Sequence, residues 1–182
     1  MKKWVKFLLF ILLPIVILIV ALFSYGYYNY WGKFPLDEEK YPNYIGYINQ
    51  DAALLNDKYE LCGDKEIYFT YNGAAYRAFQ GNKSHFKKYI LKTYENKGYS
   101  DSGYLNFRFL VNCEGNPGWF EIIQMDLDLN ERDLNKYMVR QLLTLTSKPE
   151  HWNTLSFDDN PINYYMYISY RIEDGEIFEI LP

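Results

Sequence analysis

Between residues 105 and 113 every odd position is apolar (Leu105, Phe107, Phe109, Val111, Cys113), and Asn106, Arg108 and Asn112 stand at even ones. A period of two is the mark of a strand with one face on a core and the other wet. Glu114, Gly115, Asn116, Pro117 and Gly118 break the run, and residues 119–125 read as a second strand. Gly supplies turn conformations and Pro cannot continue a ladder, so the pair is expected to form a hairpin. A longer alternation runs from 162 to 172. Ile162, Tyr164, Met166, Ile168, Tyr170 and Ile172 share one face, and Asn163, Tyr165, Tyr167, Ser169 and Arg171 share the other. Asp174-Gly175 is a two-residue hairpin signal, and residues 176–181 return as a last strand.

Two segments switch to helical spacing. Ser84 is the expected N-cap of a helix over 85–94, with Phe86, Tyr89, Ile90, Thr93 and Tyr94 on one face. Asn130, with Asp133 three positions on, resembles a second N-cap, followed by the stripe Leu134, Tyr137, Met138, Gln141, Leu142 and Leu145. Leu134, Met138, Leu142 and Leu145 should pack on Phe107, Phe109, Ile168 and Ile172. Pro149 stops this helix, and Trp152 is expected to plug the junction with the next strand. Upstream, Asn72-Gly73-Ala74 between two β-rich runs (66–71 and 75–79) signals a further hairpin. The expected fold class is therefore α+β, an antiparallel sheet with two helices on one face. An aromatic content of 20% suits a sheet-rich domain.

The N-terminus adds a different element. Residues 7–23 hold no charged or polar side chain and follow Lys2, Lys3 and Lys6. That is close to the ~20 residues that span a bilayer. Basic residues at its start place that end in the cytoplasm and the remainder outside. A retained single-pass anchor is the reading adopted, with a cleaved signal peptide as its rival. The organisation read from the sequence is an anchor over 1–28, a short irregular tether over 29–60 and a domain over 61–182. The net charge of -4 gives no footprint for nucleic acid.

Chemistry-bearing clusters are sparse. His85 and His151 have no Cys or carboxylate at ligand spacing. Asp126, Asp128 and Asn130 have the alternate spacing of a calcium loop's start, without its mid-loop Gly or closing Glu. Asp158 and Asp159 fall in a turn. No catalytic constellation, metal site or cofactor motif is expected. Trp119, Tyr165 and Tyr167 suit either a stacking platform or cross-strand pairs. The two cysteines, Cys62 and Cys113, suit a disulfide in an extracytoplasmic domain, or alternatively two buried thiols.

From residue 84 onward, the helix before GYLNFRFLVNCEGNPG, the LLTLT helix, Trp152 and YYMYISYRIEDGEIFEILP resemble the C-terminal domain of TonB-type energy transducers. The resemblance is closest to short, single-anchor, Bacteroidetes-type variants. It implies a periplasmic module without catalysis that captures an extended segment of an envelope protein, such as an outer-membrane transporter, by adding it as a strand. Residues 7–23 lack the intramembrane polar group that coupling to a proton-driven motor would need. By the same resemblance the receiving strand is the one over 162–172, with Asn163, Tyr165, Tyr167 and Arg171 flanking the incoming segment. The alternative is a structural or envelope-assembly role on peptidoglycan or an inner-membrane partner.

Overall fold

The computed structural model describes residues 3–29, 48, 53–55, 59–63, 66–70 and 75–181. They fall in two units, 1–44 and 45–182. In the first unit α1 (Lys3–Tyr27) is one apolar helix interrupted only by Pro14. At 25 residues it is about 37 Å long, enough to cross a membrane by length and composition. The expected tether over 29–60 lies largely outside the described residues.

The second unit is α+β. Its elements are β1 (Ile67–Phe69), α2 (Ala75–Ala78), α3 (Lys83–Thr93), β2 (Gly103–Val111), β3 (Pro117–Met125), α4 (Lys136–Thr146), β4 (Leu155–Phe157), β5 (Asn160–Glu173) and β6 (Glu176–Leu181). β5 is the spine. Its 14 residues are antiparallel to β2 on one side, and on the other they meet β1 and then β6. β3 pairs with the far side of β2. Asp174 and Gly175 both have positive φ, the geometry of a tight two-residue turn, and join β5 to β6. A side chain at Gly175 would strike the Tyr99 carbonyl.

The sheet is mixed, which corrects the expected antiparallel-only sheet: β1 runs parallel to β5, with Ile67 opposite Asn163. The expected hairpin across 66–79 does not form. Its turn at Asn72-Gly73-Ala74 lies outside the described residues, but the second arm is α2 and then Phe79, which bridges to Trp152. A hairpin that the sequence did not signal forms between β4 and β5, with Asp158 and Asp159 both at positive φ.

One face of the sheet carries both longer helices. Phe86 and Ile90 of α3 and Met138, Leu142 and Leu145 of α4 are buried in one cluster with Leu105, Phe107, Phe109, Ile168, Tyr170 and Ile172. The expected packing of α4 on the sheet is therefore observed. Both N-caps differ from expectation. Asn82 caps α3 and Asn135 caps α4, through side-chain oxygens that accept from His85 N and from Tyr137 and Met138 N. Asn130 is instead bound into a turn by the Asp126 carboxylate. Trp152 does plug the junction: its indole donates to the Thr146 carbonyl at 3.0 Å and packs on Phe79, Phe86 and Phe109.

The other face was expected to be wet, and it is largely covered. Leu110, Arg108 and Tyr165 are buried there, under Ile48, Ala53 and Tyr59. Residues assigned from the sequence to a tether thus belong to the domain. The described ones among them, with Ile48, Ala53, Tyr59 and Leu61 packed on this face, form a strap. Leu54 exchanges backbone hydrogen bonds of 2.8 and 2.9 Å with Phe120 on the outer edge of β3. Tyr59 lies on Gly118, where any side chain would collide with its ring, and beside Trp119. Cys62 is joined to Cys113 with Cα atoms 5.9 Å apart, so the expected bridge is present. Closing that loop stabilises the fold by about 4 kcal/mol in the chain-entropy model.

Leu142 is wholly buried between helix and sheet. Leu142→Ala is expected to cost about 2–5 kcal/mol in chemical denaturation. A loss below about 0.5 kcal/mol, typical of surface sites, would contradict this packing.

Candidate functional site

Strand addition needs a row of backbone N–H and C=O groups with no neighbour. Among the described residues the sheet ends at β3 on one side and at β1 and β6 on the other, where each covers part of β5. On β3, Phe120 is occupied by Leu54, Met125 bridges to Glu131, and the Gln124 carbonyl accepts from Arg132 N. On the opposite side β6 has β5 along one edge and no strand along the other among the described residues. Its six residues form the longest open edge that the described residues provide. A β-bulge at Phe178 interrupts the register between Arg171 and Ile172.

The side chains of β6 sort by face. Ile180 is buried in the helix-covered core and Ile177 packs against it. Phe178 is 62% exposed, with the Arg171 guanidinium 4.5 Å from its ring centroid. Arg171 also pairs with Glu173. The result is an edge strand with a firm inner side and an aromatic–cationic pair outside. The Asp174–Gly175 turn makes Glu173 and Glu176 the bonded pair at its base, so the Ile177 N–H points away from β5.

The four residues expected to flank a docked segment divide unequally. Over most of the range expected of it β5 is not an edge, because β1 covers 163–165 and β6 covers 169–173; only 166–168 has no strand on that side among the described residues. That corrects the placement of the receiving strand. Asn163 is buried, and its amide accepts from Cys62 N at 2.9 Å and donates to the carbonyls of Cys62 (3.0 Å) and Glu66 (3.2 Å). It is a clamp on the strap. Tyr165 is 2% exposed, and its hydroxyl accepts from Arg108 Nε at 2.9 Å. Arg108 in turn lies 3.4 Å from the Glu121 carboxylate, a buried pair with a hydrogen-bond partner of its own. Tyr167 and Arg171 remain half-exposed, Arg171 opposite Glu179 of β6 and Tyr167 in the stretch between the residues that β1 and β6 cover. Trp119 packs on Tyr59, and Tyr165 is buried in the same cluster with its ring 6.4 Å from that of Tyr167 on its own strand. Phe178 is the residue that sequence reasoning missed; its place at a bulge has no period to betray it.

The remaining candidates have structural engagements. Asp126 Oδ1 accepts from the backbone of Asp128 and Asn130, which holds its carboxyl below the usual carboxylate range. His151 is buried against Phe86 and Tyr89, and desolvation lowers its pKa. His85 stands in the first turn of α3, its N–H capped by Asn82.

No family model, no curated protein and no solved structure matches this chain.

Two predictions follow from this geometry. Asn163→Ala removes the three hydrogen bonds that its amide makes to the backbone of Cys62 and Glu66, so it should cost about 1–3 kcal/mol. An effect near zero in urea titration would contradict the clamp. Burial depresses His151 below its ordinary value of 6.5, so protonation favours the unfolded chain. Its contribution is whole above that value and is lost as the pH falls through the depressed one. His151→Gln should therefore flatten the fall in urea midpoint between neutrality and about pH 5; an unchanged slope would contradict it.

Proposed function

We propose that this chain is a membrane-anchored binding module whose folded unit captures an extended segment of an envelope partner by strand addition along β6. The observation that carries the reading is the open outer edge of β6, with Phe178 exposed beside it. Backbone hydrogen bonds along that edge supply affinity, and Phe178 with Arg171 supplies a side-chain contact for selection. The apolar run over 7–23 within α1, preceded by Lys2, Lys3 and Lys6, supports a single-pass inner-membrane anchor with the folded unit on the periplasmic side. The Cys62–Cys113 disulfide supports the same side, since such bonds persist in oxidising compartments. The resemblance to the TonB C-terminal domain points to a partner of the kind those domains bind, an outer-membrane transporter segment. On this reading the module acts without catalysis and without a cofactor.

The test uses the intact protein in its own membrane. A photo-reactive residue at position 178 should form an adduct with an envelope protein, and one at Asp128, beyond the far edge at β3, should not. Ile177→Pro removes the outward N–H and should abolish capture. Ile177→Ala loses the same packing, keeps the N–H and should retain capture. A folded Ile177→Pro variant that still captures its partner at position 178 would overturn strand addition here.

A further inference from the structure

The strap that covers the second face is held by one covalent bond, and its other contacts carry costs. Leu54 meets β3 between two residues at positive φ, Leu55 (59°) beside it and Trp119 (50°) beside Phe120. Neither is Gly, so both sides of that contact hold an unfavourable backbone. The Tyr59 hydroxyl is buried with no hydrogen-bond partner among the described residues. Against these costs stand the Leu54–Phe120 bonds, the Asn163 clamp and a bond from the Asn112 amide to the Glu60 carbonyl. The disulfide fixes the end of the strap where the clamp acts.

That disulfide is also reachable. Cys62 and Cys113 are both partly exposed and line a surface cleft of about 510 Å³ together with Tyr68, Phe157, Ile162 and Asn163. Phe157 is exposed at the cleft, with its ring 5.6 Å from that of Tyr68. A bond meant only to staple a core is ordinarily buried within it; this one opens to solvent beside an exposed aromatic.

We propose that Cys62–Cys113 is a reducible latch, opened by a dithiol reductant through this cleft, and that opening it frees the strap from the second face of the sheet. A thiolate of the reductant attacks one sulfur and forms a mixed disulfide, and its second thiol resolves that bond. The reductant leaves as its own disulfide, and two electrons and two protons reside on the Cys62 and Cys113 thiols. Release uncovers Leu110, Trp119 and Tyr165 and returns the N–H and C=O of Phe120 to the edge of β3. The sheet then has a second open edge, distinct from β6. The inference is independent of the strand-addition reading, because it requires no partner at β6.

The test treats the full chain in lipid nanodiscs with dithiothreitol under native conditions. New thiols are counted by mass tagging, and amide hydrogen exchange is followed residue by residue. The expected result is reduction without denaturant, followed by a loss of protection of at least about tenfold at Leu54 and Phe120, while Phe107 and Ile168 in the helix-covered core keep theirs. Three results would overturn the latch: reduction only where the domain unfolds, reduction that leaves Leu54 and Phe120 protected, or loss of protection at Phe107 and Ile168 together with the strap.

Discussion

Every other strand of the folded unit except β3 hydrogen-bonds to β5, and β3 reaches it through β2. One strand that long must satisfy two ladders and two faces at once. Its alternation does so. Tyr164, Met166, Ile168, Tyr170 and Ile172 face the helices, and Asn163 and Tyr165 face the strap. A slip of one residue would exchange those sets and place Arg171 and Asn163 in the helical core. The tight Asp174–Gly175 turn and the parallel pairing with β1 fix the register at the two ends. Mixed pairing on one side of β5 is what a strand of this length permits, since β1 and β6 each cover only part of it.

The two sheet edges follow from that arrangement. The strap that buries the second face also reaches the β3 edge, so Phe120 is satisfied within the chain. The β6 edge has no such cover among the described residues. Edge strands are usually blunted by charge or by a bulge, and β6 carries both, Glu176 and Glu179 and the bulge at Phe178. These devices discourage pairing with arbitrary strands. On the proposed reading, a partner that supplies complementary side chains beside Phe178 and Arg171 would be accepted over one that does not, which is selection rather than closure.

How much of this is legible in the sequence depends on whether an element has a period. β2, β5 and β6 are readable because strict alternation and an Asp-Gly turn leave few alternatives, and α4's stripe names the residues that meet the sheet. The bridge is readable from an even pair of cysteines following an apolar anchor, though the same pair also suits two buried thiols. The expected second arm over 75–79 misleads because β-rich composition competes with a tertiary demand: these residues form α2 and then Phe79, which packs on Trp152. The second face misleads for a different reason. Arg108 and Asn112 mark a wet face by composition, yet they are buried and paired by partners distant in sequence, Tyr165 and the Glu60 carbonyl. A strap without a repeat, in which Tyr59 rests on Gly118, leaves no pattern to read. The candidate site suffers likewise, since which edge is open depends on what covers the others.

The account turns on the outer edge of β6 being the surface that is occupied when the protein meets its partner. Hydrogen exchange at the Ile177 and Ile180 amides tests this most directly, measured on the intact protein in its native envelope and again after purification into nanodiscs. The account predicts slow exchange at both amides in the envelope and fast exchange in isolation, with Phe107 unchanged. Equal and fast exchange at both amides in the two settings would contradict it.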